Sequence, residues 1–193
     1  QLFNIVDGIG SIHGGASVII ELDNTVPIAM AVLKVSNEPE VLIPSDEPFT
    51  DLNENGIFDE GEDFIDWNQN NSWSPMIESL SLSDDWRVTG EIIDGKITIA
   101  FTNWGEPLEP DLRQLFRVNY LVGEEASLND IINVSSEPIL ILDAWGNNGA
   151  SSSHNEGTVT ITDVLFVSDN SDVFPSSFSI DSIYPNPFNP RTK

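Results

Sequence analysis

The chain has no cysteine, so no disulfide braces it and no thiolate cluster can hold zinc or an iron–sulfur centre. That absence suits a reducing compartment, and equally an exported protein stabilised by other means. Basic residues are scarce: 7 Lys and Arg stand against 32 Asp and Glu, giving a formal charge of −25 and a pI near 4.1. A surface this acidic repels phosphate backbones and anionic headgroups, which argues against nucleic acid or an anionic membrane as a partner. No apolar run approaches the ~18 residues of a spanning helix, so no membrane insertion is expected. Histidine is limited to His13 and His154, both beside Gly, Ser or Asn and without metal-binding spacing, and both read as surface residues. There is no G-x-S-x-G elbow and no phosphate loop. Carboxylate pairs abound, but in so acidic a chain they carry no information about glycoside hydrolysis. The sequence therefore points away from an enzyme. Gln1-Leu2-Phe3 has neither Met nor a basic leader, and reads as a processed end or a cut within a longer chain.

What is present is a core. The length suits one domain with an insertion or a tail, and 39% hydrophobic content with 5 Trp and 10 Phe is too much for a disordered acidic chain. Apolar residues fall in short runs broken by turn residues, the pattern of strands. Runs are read at residues 16–22, 27–35, 113–122, 139–144 and 158–162, with outer strands at 2–6 and 164–167. "RVTGEII" and "KITIAFT" flank Asp94-Gly95, a pair suited to the positive φ of a type I′ hairpin turn. Asn147-Asn148-Gly149 reads as a second turn, while Gly8-Ile9-Gly10 and Gly14-Gly15 read as flexible connections. A helical turn or two is expected at 108–115 and at 127–132, the latter capped by Ser127. The fold class expected is all-β, an antiparallel two-sheet jelly-roll sandwich spanning residues 1–167. Residues 168–193, rich in Ser, Pro, Asp and Asn, read as a linker and tail.

One segment breaks the strand rhythm. Residues 44–75 are acidic, and no Lys or Arg occurs between Lys34 and Arg87. A structureless loop of that length inside a compact domain needs something to organise it. Aligned from Asp51, the segment reads D-x-N-x-N-G-x-x-D-x-x-E. This places Asp51, Asn53 and Asn55 at positions 1, 3 and 5 of a twelve-residue EF-hand-type calcium loop, and Gly56 at the sharp turn. Ile57 at position 7 offers its carbonyl, Asp59 stands at 9, and Glu62 at 12 can bind with both oxygens. The side chains of Ile57, Phe58, Phe64 and Ile65 are expected to pack on the domain. Asp66, Asn68 and Asn70 repeat the 1-3-5 spacing, with Asn71 at the turn, Ser72 offering its carbonyl and Ser74 at position 9. Ile77 stands where the bidentate Glu belongs, so a second ion would share ligands with the first loop or use Asp63. The flanks are not amphipathic helices, so the expectation is a structural Ca2+ clamp and not a sensor that opens a groove.

Two segments carry family resemblances. Residues 11–163, with "GGASVIIELDNTVPIAMAVLKVSNEPEVLIP", "DGKITIAF" and "GTVTITD", resemble a cohesin-type module of the carbohydrate-binding-module superfamily. The turn Asn37-Glu38-Pro39-Glu40-Val41-Leu42 matches that family's "D-P-x-V-L"-like corner. The resemblance implies a nine-stranded jelly roll, and the inserted loop puts any carried-over dockerin-binding surface in question. "SIYPNPFNP" at 182–190 resembles the start of the C-terminal sorting domain of type IX secretion substrates, which implies export to the cell surface or beyond. The function expected is a secreted, calcium-stabilised surface module for protein–protein assembly or adhesion. Its partner would be another protein, or itself in a homo-oligomer, filament or layer, with residues 1–6 and the segment after Asp163 pairing with a neighbour's sheet edge. The alternative is a carbohydrate-binding module of a larger enzyme, with polysaccharide as partner. For the tryptophans, Trp86 and Trp104 are read as packing, Trp67 and Trp73 as pins for the insertion, and Trp145 as an exposed contact.

Overall fold

The computed structural model describes residues 1–163 apart from 13, 39, 68–70 and 149–152. Twelve strands form it: β1 (Leu2–Val6), β2 (Gly8–Ser11), β3 (Gly15–Asn24), β4 (Ile28–Ser36), β5 (Leu42–Pro44), β6 (Ile77–Ser79), β7 (Arg87–Ile93), β8 (Lys96–Thr102), β9 (Asp111–Val122), β10 (Ile131–Asp143), β11 (Ser153–Asn155) and β12 (Gly157–Thr162). They pack as an all-β jelly-roll sandwich. One layer is built around β1, β3 and β9, flanked by the short β5 and β6. The other runs β10-β4-β8-β7. β10 belongs to both: residues 131–134 pair with β12, and Ser135 onward pairs with β4. Pairing is antiparallel except for β1 with β11 and β2 with β12, which are parallel.

The period-2 pattern explains the layers. On β4, Ala31, Leu33 and Val35 are fully buried while Met30, Val32 and Lys34 between them stay partly accessible. On β8, Ile97, Ile99 and Phe101 point inward in the same way. They meet Leu115, Phe116, Val118 and Tyr120 from the facing sheet in one continuous core. Each such aliphatic side chain contributes roughly 1.5–3 kcal/mol on burial. Burial pushes the Tyr120 phenol well above its ordinary pKa, so it stays neutral.

Asp94 and Gly95 both take positive φ, 51° and 71°, closing the β7–β8 hairpin as its sequence requires. Other local readings are corrected. Residues 108–115 form no helical turn: Leu108 pairs with Ile28 in an isolated bridge and β9 begins at Asp111. Residues 127–130 form a single hydrogen-bonded turn closed by Asp130 N–H to the Ser127 carbonyl, and Ile131 already opens β10. Sheet pairing outcompeted two short helices too small to nucleate alone. Gly8 and Gly10 are not a flexible connection but part of β2. A Cβ on Gly8 would strike the Ser17 carbonyl oxygen, so glycine is what lets the start of β2 lie against β3. Gly15 likewise sits inside β3, under the ring of Trp67. The expected strand at 164–167, the tail at 168–193 and the 182–190 motif lie outside the described residues, as does His13; His154 is exposed on β11.

Candidate metal centre and exposed surfaces

The insertion docks on the outer face of the β3–β9 layer. Asn119 points outward from β9 yet is buried, because its Nδ2 donates to the Pro75 carbonyl at 2.7 Å and its N–H to that of Met76 at 2.8 Å. Ser45 N–H donates back to the Asn119 carbonyl at 3.2 Å. The Trp67 ring lies against the Gly15 backbone, which has no Cβ to prevent it. Within the insertion, residues 48–50 run antiparallel to 63–65, joined by Thr50 N–H to Asp63 O and Ile65 N–H to Pro48 O. A small aromatic core fills it: Phe58 stacks on Trp73 at 4.9 Å, with Phe49 and Phe64 edge-on around the pair. Trp67 thus pins the insertion to the sheet, while Trp73 holds the insertion to itself.

Each of the five side chains of the first loop hydrogen-bonds within that loop. Asp51 accepts from the N–H groups of Asn55 and Gly56, at 3.2 and 2.7 Å. Gly56 takes φ 74°, which is why glycine stands there. Asn53 and Asn55 accept from the N–H groups two residues on, and both donate their amides to one oxygen of Asp59, at 2.6 and 2.8 Å. Glu62 is nearly buried and accepts from Leu52 N–H at 2.8 Å and Asp59 N–H at 2.9 Å. Among the described residues, no three His, Cys, Asp or Glu side chains stand together as a metal-binding group; the carboxylates are satisfied by N–H donors instead. Ile57 does not pack on the domain. It is 65% exposed, and Leu52 is 72% exposed; Ile65 is also exposed, whereas Phe58 and Phe64 pack inside the insertion's own aromatic core and not on the domain.

The second loop repeats the first in its described part. Asp66 accepts from the N–H of Asn71, five residues on, at 2.9 Å, as Asp51 does from Gly56. Asn71 has φ 60°, the left-handed conformation that asparagine tolerates. Asn68 and Asn70 lie outside the described residues. The counterpart of Glu62 is a residue that the sequence did not reveal. Glu47, only 1% exposed, accepts from Trp67 N–H and Ser74 N–H, both at 2.8 Å. Trp67 and Ser74 follow Asp66 at the same offsets as Leu52 and Asp59 follow Asp51, so Glu47 bonds loop two as Glu62 bonds loop one. No spacing rule finds it, because Glu47 precedes its loop in the chain.

Two other features face solvent. Trp104 is 57% exposed, against the expectation that it packs, and Trp145 is 73% exposed as expected; Trp86 is buried against Phe101. Both exposed rings sit in turns at one end of β4's sheet, each fixed by a side-chain acceptor. Asn103 Oδ1 accepts from Gly105 and Glu106, and Asp143 Oδ1 from Trp145 and Asn147. The Asn147 side-chain amide, followed by backbone N–H donors of the same turn, holds the Asp143 carboxyl below its usual pKa. The second feature is the outer face of β10-β4-β8-β7, where Met30, Val32, Leu140 and Leu142 form an apolar row. The insertion lies on the opposite sheet and leaves this face open.

No protein-family model matches the chain, and no curated protein matches it in sequence. Solved structures do share its fold. The sixth cohesin of Acetivibrio cellulolyticus scaffoldin B, solved in complex with a dockerin, aligns with a TM-score of 0.54 at 13% identity, covering 82% of this chain and 96% of that one. A non-cellulosomal cohesin from the hyperthermophilic archaeon Archaeoglobus fulgidus gives 0.53 at 15% identity over 84% and 92%. The cohesin module of a Clostridium perfringens family 33 glycoside hydrolase gives 0.52 at 15% over 83% and 96%. The chain therefore has the cohesin-type jelly-roll sandwich, with the acidic insertion built onto it.

Proposed function

We propose that this chain is a secreted, non-catalytic protein-interaction module whose acidic insertion is clamped by calcium. The observation that carries the reading is the position of the insertion: it covers the outer face of the β3–β9 layer and leaves the apolar face of β10-β4-β8-β7 open. A sheet face with an uncovered, partly accessible apolar row suits a contact surface. The similar cohesin of Acetivibrio cellulolyticus was solved with a dockerin bound, which favours a protein partner. Residues 1–167 form the module in this reading. Residues 168–193 are a linker leading into the start of a sorting segment, and the 182–190 motif supports export to the cell surface or beyond.

Calcium fits the donor set, which is oxygen throughout and mixes carboxylates with neutral amides. The first ion is held by Asp51, Asn53, Asn55, Asp59 and Glu62 with the Ile57 carbonyl. A second is held by Asp66, Asn68 and Asn70, with Glu47 in the role Glu62 plays for the first. Calorimetric titration of chelator-stripped protein is expected to show two calcium ions per chain. Glu47→Gln should remove one of them and Glu62→Gln the other. A titration without heat, or a Glu47→Gln variant that still binds two, refutes the clamp.

The two exposed tryptophans favour a second reading, polysaccharide binding. A Cβ added to Gly146 would lie 3.9 Å from the Trp104 ring, so Trp104 lies against the turn that carries Trp145. An aromatic pair of this kind offers apolar faces to sugar rings. Under that reading, electrophoresis through polysaccharide-containing gels retards the protein, and Trp104→Ala/Trp145→Ala abolishes the retardation. Unretarded wild-type protein eliminates it.

A further inference from the structure

We infer that the open face of β10-β4-β8-β7 receives the acidic insertion of a second copy of this chain, so that copies associate head to tail. The inference rests on the interaction-module reading and names the partner. The described residues include five bases. Two are engaged on the β9 side: Arg117 pairs with Glu78 at 2.6 Å, and Arg113 lies 3.7 Å from Asp111 and donates to the Glu109 carbonyl. The other three, Lys34, Arg87 and Lys96, have no ion pair among the described residues. All three occupy outward positions on the open face, as the register shows: Lys34 lies opposite Thr98, Arg87 opposite Thr102 and Lys96 opposite Ile93. Glu91 and Glu137 share that face, leaving it weakly positive in a molecule of charge −25.

The insertion is its complement. Residues 44–75 hold Asp and Glu but no base. In the first loop, Leu52, Glu54, Ile57 and Glu60 all stand exposed. Apolar side chains among carboxylates on one side thus match an apolar row flanked by lysines on the other. The pairing joins apolar burial to charge complementarity, the two terms that drive and orient association. At physiological ionic strength charges beyond about 8 Å are screened, so the contacting groups outweigh the distant repulsion between two acidic bodies. The two surfaces lie on opposite layers of the sandwich, so the contact is heterologous. A joined pair keeps one unused face and one unused insertion, so further copies add at either end.

Sedimentation velocity at millimolar calcium, over a range of protein concentrations, tests this with two variants. The face variant is Lys34→Glu/Lys96→Glu, and the tip variant is Leu52→Ser/Ile57→Ser. Wild-type protein is expected to form a concentration-dependent series of oligomers. Each variant alone should associate at least about tenfold more weakly, a change of 1.4 kcal/mol. Mixed, the two should form dimers and nothing larger, because the intact face of one meets the intact tip of the other and the chain ends there. The face variant lies outside the insertion, so calcium titration separates an interface effect from loss of the clamp. Wild-type protein that stays monomeric, variants that associate like wild type, or mixtures that do not dimerise overturn the inference. A monomer that still binds calcium leaves the module reading standing, with a different partner.

Discussion

Chelating calcium should open residues 44–75 to protease while the sandwich beneath stays folded. Nine carboxylates, from Asp46 to Asp66, lie in that segment without a single base. Two unit charges 4 Å apart interact by about 4 kcal/mol at an effective dielectric of 20, so crowded carboxylates without a cation repel strongly. A bound ion reverses the sign. At a calcium concentration a thousandfold above its Kd, each site stabilises the folded insertion by about 4 kcal/mol. Without the ion, the insertion is held by its small aromatic core, a short ladder, the N–H donors to its carboxylates and the contacts at Asn119 and Gly15. Limited proteolysis with and without chelator, read by mass spectrometry, should place the new cuts near Leu52 and Ile57. Identical digestion patterns in both conditions would mean that the hydrogen-bonded loops are self-sufficient and the ion is not a brace.

Phe101→Ala should act in the opposite way, undermining the sandwich and leaving the insertion's local structure to follow. Phe101 is fully buried near the end of β8, and its ring lies 5.3 Å from that of Phe116 on the facing sheet and 5.8 Å from Trp86. It therefore couples the two layers directly. Truncating such a side chain costs about 3–5 kcal/mol through lost transfer energy and an unfilled cavity. That is a large share of the roughly 5–15 kcal/mol that stabilises an ordinary domain. Denaturant unfolding in saturating calcium should show the midpoint falling with little change in slope. A loss under about 1 kcal/mol would show that Trp86 and Phe116 collapse into the space.

The two experiments divide the molecule along the line that separates what was legible in the sequence from what was not. Local pattern determined the longer strands and the turn geometry of the first loop. Alternation along β4 and β8 assigned each residue to a face, because neighbouring side chains on a strand must point opposite ways. Asp94-Gly95 specified its turn, and Asp51 to Glu62 specified the first loop, because each depends on residues close in sequence. The composition excluded disulfides and argued against nucleic acid before any fold was known.

Only tertiary structure decided the rest, since it depends on residues brought together from far apart. Residues 1–6 were expected to pair with a neighbouring molecule, but β1 is already flanked by β3 and β11, which leaves it no free edge. Trp104 and Ile57 look like core residues by their chemistry, yet both sit in bends outside the strands and end in solvent. Glu47 joins the loop led by Asp66 from upstream, where no fixed spacing would look for it. Which sheet the insertion covers, and so which face remains open, follows from Asn119 on β9 and the bare backbone of Gly15 on β3. A sequence sets the period of each strand; the layer on which a distant loop settles is fixed by complementary surfaces that exist only after the sheets have formed.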